Sequence, residues 1–169
     1  MDIFAHGLWS VAAAKFAKRA VPFKNLNLGW AAFWGIAPDL FSFGILFIVN
    51  IFSNGFAAPR FMGPDGVPDP NLIPSYIHAL YNITHSFFTF GLGFVIGWLI
   101  LKRPPWEMFG WALHIFIDIF THTSKFFPTP FLWPFFRTEF NGLSWATPWF
   151  LVTNYAVLLV VYSLLFILP

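Results

Sequence analysis

Apolar residues run through this chain in long blocks, and the polar positions between them mark where the blocks end. Five blocks emerge, at residues 2–20, 26–52, 74–101, 106–122 and 145–168. The last four approach or exceed the ~20 residues a helix needs to cross a hydrocarbon core, although the fourth is short. The first closes in "KFAKRA" and is broken from the second by Pro22 in "VPFKN". Between the others lie "SNGFAAPRFMGPDGVPDPN", "KRPP" and "TSKFFPTPFLWPFFRTEFNGLS". The outer two of these are rich in Pro and Gly and read as loops. No internal repeat is visible. The pattern predicts an all-α fold: a polytopic membrane helix bundle of about five helices, in a single membrane-embedded domain over residues 1–169.

Composition sharpens that picture. Of 169 residues, 58% are apolar and only 9% charged, with 25 Phe and 9 Trp, which is far from the balance of a soluble domain. A water-soluble chain of this size could not bury so much aromatic surface, whereas a lipid-facing surface has no need to. The net charge of +2 comes from too few groups to suggest nucleic acid as a partner. With no cysteine, a disulfide framework and a thiolate metal site are both excluded, so any metal must be held by His and carboxylate. The opening "MDIFAHGLWS" has no basic n-region of the kind a cleaved signal peptide carries.

The basic residues cluster beside the apolar blocks as topology signals. Lys15, Lys18, Arg19 and Lys24 flank one turn, and Lys102 and Arg103 another. Placing both on the cytoplasmic side makes residues 53–73 and 123–144 external. The chain is expected as a multi-pass protein whose partner is membrane lipid.

Against that background the stretch "GWALHIFIDIFTH", Gly110 to His122, stands out. It carries His114, Asp118 and His122 at intervals of four within an apolar helix. Ionisable groups at membrane depth are costly and usually face a partner or a cavity. Three more occur in the other blocks: His6, Asp39 and His85. At 1.5 Å per residue, His6 lies about 18 Å from Lys18, Asp39 about 22 Å from Lys24, and His85 about 26 Å from Lys102. On the same scale His114, Asp118 and His122 lie about 16, 22 and 28 Å from Arg103. Groups from four helices thus fall at similar depth, provided the first block crosses the membrane. Residues four apart share a helix face, so His114 and Asp118 are able to hold one ion together, and so are Asp118 and His122. The two outer histidines stand about 12 Å apart along the axis, too far for a single ion. Either Asp118 bridges two ions or one histidine has another role. Imidazole nitrogen with carboxylate oxygen suits Zn²⁺ or a similar divalent cation. The competing readings are a His/Asp proton relay and a purely hydrogen-bonded polar core.

Other signals are weaker. Pro38 sits before Asp39 in mid-block, where it frees backbone carbonyls and kinks the helix, around a ligand or as a tolerated membrane proline. Thr84 and Ser86 flank His85, and their hydroxyls have two candidate roles, binding a substrate phosphate and back-bonding to the helix, of which the second is the simpler. His78 shares a face with His85 but lies towards the external end, as an interfacial residue. Trp106, Trp145 and Trp149 fit an interfacial belt.

These motifs in this order resemble a family of bacterial and archaeal inner-membrane proteins described as membrane-bound metal-dependent hydrolases, among them LexA-regulated members. The matching pieces are His6, "PDL" at Pro38–Leu40, "THS" at Thr84–Ser86, Gly110–His122, and "FLWP" at Phe131–Pro134. The resemblance implies a location in the cytoplasmic (inner) membrane, a metal site on the His and Asp positions, and a distant likeness to zinc-dependent phospholipase C enzymes. Two positions depart from the pattern. Phe41 stands where many members have a second acid, and Leu80 where many have a further histidine.

The expectation is a membrane-embedded hydrolase that uses a divalent metal, with Zn²⁺ foremost, on a phosphoester or ester bond of a lipid or lipid-linked substrate. Its candidate ligands are His6, Asp39, His85, His114, Asp118 and His122. His122, nearest the surface, is the candidate general acid or base, with His85 beside it in a catalytic role. The alternatives are a non-enzymatic protein with a structural metal, and a metal or proton transporter. Transport requires polar groups in both halves of the spans, and the inner half has no obvious ones.

Overall fold

A computed structural model of the chain describes residues 1–55 and 70–167. Among these residues there is no β-strand, and the chain folds as six helices: α1 (Ile3–Ala17), α2 (Leu28–Asn54), α3 (Ser75–Thr84), α4 (Phe87–Leu101), α5 (Phe109–Thr121) and α6 (Pro148–Ile167). Short 3₁₀ turns at Val21–Phe23, Pro70–Leu72 and Trp106–Met108 lead into helices or link them.

Local sequence sets several of these boundaries. The Asp2 carboxylate accepts from the Ala5 amide at 3.0 Å and so caps α1, and Asn27 does the same for α2 through Trp30 at 3.1 Å. The helix α2 runs 27 residues straight through Pro38. The expected single third block is two helices. Thr84 ends α3, Ser86 caps α4 by accepting from the Phe88 amide at 3.1 Å, and the pair bends by 63° at "THS". Thr84 Oγ1 turns back onto the Leu80 carbonyl at 2.9 Å, the competition with helix bonds that hydroxyl side chains offer. Uniform hydropathy across the break hides it from a reading of apolar blocks.

Helix α2, over Leu28–Ser53, and helix α6 are long and apolar enough to cross a membrane, and the bent α3–α4 pair makes a third span if it is counted as one. None of the residues of α4 is buried, and Leu99 and Ile100 are among its most exposed side chains.

 
Thr89 is the one hydroxyl-bearing residue of α4, and the rest of its surface is hydrocarbon, as a helix facing lipid requires. The first block is shorter than expected. At 15 residues α1 extends about 22 Å, less than the ~30 Å hydrocarbon core. The fourth block begins as a 3₁₀ turn, and its helix proper is the 13-residue α5.

Helices α1, α2, α3 and α5 pack together. Close approach of α5 to α2 depends on Gly110, where a Cβ would fall 2.6 Å from the Ala31 carbonyl oxygen. Helix α6 lies along α1, tied by Trp9 Nε1 donating to Asn154 Oδ1 at 2.9 Å and Tyr162 donating to the Leu8 carbonyl at 2.8 Å. The loop after α5 folds back over its C-terminus. The amides of Gly142, Leu143 and Trp145 donate to the carbonyls of His122, Phe120 and Thr121, which satisfies acceptors that a helix end leaves free.

Candidate metal centre

Each ionisable group singled out within the apolar blocks comes to one place, except the outlier His78. Asp118, on α5, is wholly buried and lies at the middle. Its two oxygens face different neighbours. Oδ2 lies 3.1 Å from His114 Nε2 and 3.6 Å from His85 Nε2. Oδ1 accepts from the Met1 main-chain amine and from Thr121 Oγ1 at 3.2 Å, and lies 3.0 Å from His6 Nε2 and 3.5 Å from His122 Nε2. Asp39, from α2, reaches in from the other side, with Oδ1 3.5 Å from His85 Nε2 and 3.7 Å from His114 Nε2.

The second nitrogen of each ring decides what the first is able to do. His114 Nδ1 lies 2.7 Å from the Gly35 carbonyl, in the turn of α2 before Pro38. His85 Nδ1 lies 3.2 Å from the Tyr81 carbonyl and 3.0 Å from Thr84 Oγ1. His122 Nδ1 lies 2.8 Å from the Phe127 carbonyl. A carbonyl only accepts, so in each neutral ring the proton belongs on Nδ1 and the lone pair on Nε2. The Nε2 lone pairs of His85 and His114 therefore point at carboxylates, which are themselves acceptors, while His122 Nε2 lies 3.2 Å from the Met1 amine, a donor. His85 Nε2 and His114 Nε2 stand 3.1 Å apart. Asp118 Oδ2 makes no hydrogen bond although it is buried. An acceptor left so in an apolar interior is expensive, and a cation among these atoms would satisfy it.

Ligand atoms of Asp39, His85, His114 and Asp118 all lie within 4.8 Å of one another, a set that could hold one metal ion. Two carboxylate oxygens and two imidazole nitrogens, each ring oriented by a backbone carbonyl, match the donor chemistry and the outer hydrogen bonding of a divalent site. His6 and His122 stand outside this set, on the Oδ1 side. His6 uses Nε2 towards Asp118, stacks on His114 with ring centroids 3.6 Å apart, and leaves Nδ1 buried without a hydrogen bond. It orients the carboxylate. His122 has left the helix: its backbone is extended (φ −109°, ψ 149°), which turns its ring back to Asp118. The regular-helix estimate that separates it from His114 by about two turns therefore does not describe the side chains.

The cluster is enclosed. Side chains of His6, His85, His114 and Asp118 are inaccessible, whereas the Asp39 side chain is 16% exposed. His78 stacks on Phe127 at 4.7 Å between ring centroids. The residue that the apolar blocks concealed is Tyr81. Its ring stacks on His85 at 3.8 Å and its hydroxyl donates to the Phe127 carbonyl at 3.0 Å, the same oxygen that holds His122. Its place four residues before His85 was the available sign. Ser86 donates to the Trp133 carbonyl, and the Phe87 amide to Phe131 at 3.0 Å, so "THS" and "FLWP" are in contact.

No protein-family model, curated protein or solved structure matches this chain.

Proposed function

We propose that the protein is a membrane-embedded hydrolase dependent on a divalent metal, with Zn²⁺ the best match to the donors, acting on a phosphoester or ester bond of a lipid or lipid-linked substrate. The observation that carries the metal is Asp118 Oδ2, a buried carboxylate oxygen without a hydrogen bond that faces the Nε2 atoms of His114 and His85. Asp39, His85, His114 and Asp118 would hold the ion. When bound, such an ion polarises a carbonyl or phosphoryl oxygen and activates water. His122 has Nδ1 engaged by Phe127 and Nε2 beside the Met1 amine at 3.2 Å, at the rim of the cluster, and would serve as a proton acceptor in the step and a donor to the leaving group afterwards. Asp39, the least buried of the four, marks the side from which a substrate would approach. A lipid substrate follows from the setting, since the surrounding helices expose hydrocarbon. The resemblance to inner-membrane metal-dependent hydrolases points the same way, and with it go the cytoplasmic membrane and a bundle of about five helices.

The test is release of product from a panel of phospholipids and lipid-linked phosphates by zinc-loaded protein. Wild-type protein should release product and His114→Ala protein should not. Equal release, or none from either, would remove the enzymatic reading.

The enclosure of the cluster favours a second reading, in which the metal is structural and ties three helices together. A chelator would then lower the thermal midpoint of a protein that hydrolyses nothing on the panel.

A further inference from the structure

A separate cavity lies beyond the cluster along α1 and α5, towards the basic end of the molecule. Its volume is about 510 Å³. Ala13, Ala14 and Ala17 of α1 form one wall, and Leu113 and Phe116 of α5 another. None of the four candidate metal ligands lines it. It is divided from them by the tight packing of Ser10 on Gly35 and of Gly110 on Ala31, where an added Cβ at either glycine would collide. From Ala17 to Ser10 the wall runs about 10 Å along the helix axis. Ala13, Phe109 and Phe116 are exposed on the flank of the molecule, so the cavity is bordered by surface of the kind that meets hydrocarbon. A cavity with such walls does not attract water, which needs two to four polar partners.

Its far end is cationic. Lys18 Nζ donates to the carbonyl of Leu26, itself a lining residue, at 3.1 Å, and an ammonium has two further hydrogens to give. Glu107 is the one acid among the described lining residues. Its Oε2 lies 3.7 Å from Arg103 and its Oε1 accepts from the Asn27 amide at 3.3 Å. Lys15 in the last turn of α1 lies at the same end, as do Lys24 and Lys102 in the two connections, so the charge at this end is strongly positive.

A hydrocarbon slot ending in a cationic rim matches one kind of molecule, and we infer that this cavity takes an acyl chain of an anionic phospholipid, with its phosphate at Lys18 and Arg103. The lipid belongs to the leaflet on the Lys18 side and is distinct from any substrate at the metal cluster. The inference does not rest on the hydrolase reading.

The test uses full-length protein in bilayers containing phosphatidylglycerol or phosphatidylcholine whose acyl chain carries a photoreactive diazirine, with peptide mapping after illumination. Phosphatidylglycerol should label the α1 and α5 segments that line the cavity in preference to α6 and to α4 beyond Phe87, which also lines it, and phosphatidylcholine should not. Each cation near a membrane surface is worth about a fivefold preference for anionic lipid, so Lys18→Gln should lower the labelling ratio of the two lipids by about that factor. Ala112→Phe, which fills the slot, should abolish the preferential labelling while leaving the rim charges in place. Helical circular dichroism and the thermal midpoint, measured on the same samples, should match wild type in both variants and show that they are folded. Labelling spread evenly over the lipid-exposed helices, or equal for the two lipids, would overturn the inference. A variant that fails to fold is replaced by Ala13→Phe, on the exposed edge of the same slot, for which the expected and overturning labelling patterns are the same.

Discussion

His85 Nε2 and His114 Nε2 face each other across 3.1 Å, and the other nitrogen of each ring is already held by a main-chain carbonyl. Two neutral imidazoles so arranged bring lone pair against lone pair. A cation between them turns an unfavourable contact into two bonds. The first prediction concerns that cation. Asp118→Asn keeps the shape of the side chain and removes its charge, and should weaken zinc binding by at least about 10-fold, the lower end of the loss seen even for outer partners of metal ligands. Metal analysis of purified wild-type and variant protein is the check, and a metal content near zero in both would count against the site.

Gly110 sets the distance between α5, which carries His114 and Asp118, and α2, which carries Asp39 and the Gly35 carbonyl. Gly110→Ala places a methyl 2.6 Å from Ala31 O and 2.9 Å from Gly35 N. The helices must part, and the strain of such overpacking is about 1–3 kcal/mol. Because the His114–Gly35 bond spans the same interface, zinc affinity should fall along with the thermal midpoint. A variant that loses stability but binds zinc as tightly as wild type would separate the helix contact from the cluster.

Tyr81 should behave differently. Tyr81→Phe keeps the ring on His85 and removes the donor to Phe127 O, which retains His122 Nδ1 as a partner. The net worth of such a hydrogen bond is about 0.5–1.5 kcal/mol, to be read from thermal or denaturant unfolding. Zinc stoichiometry should be unaffected, and hydrolysis, where found, should change through His122.

Asn154 provides the control far from the cluster. Asn154→Ala removes the acceptor of Trp9 Nε1 between α6 and α1. Interhelical hydrogen bonds in membranes average about 0.6 kcal/mol, and the loss should appear as a small drop in stability with full metal content.

Much of the cluster was legible before any coordinates. Four-residue spacing put His114 and Asp118 on one face, and counting from the basic residues brought His6, Asp39 and His85 to the same depth. The structure joins all of them. What spacing does not reveal is the proton on each ring, because the groups that decide it are the carbonyls of Gly35, Tyr81 and Phe127. Nor does it show that His122 leaves the helix, since its extended backbone answers to the returning loop at Gly142, whose amide donates to the His122 carbonyl at 2.8 Å. The break at His85 was missed for a related reason. Apolar residues continue on both sides, and only the capping bond of Ser86 marks the end of one helix and the start of the next.

The sealing of Asp118 and its neighbours bears on how an ion would come and go. Its holders are drawn from α2, the end of α3 and α5, so the cage closes only as these rods dock. An ion captured during assembly would leave by prising them apart, at a pace governed by the protein's own breathing, however avid the chelator outside.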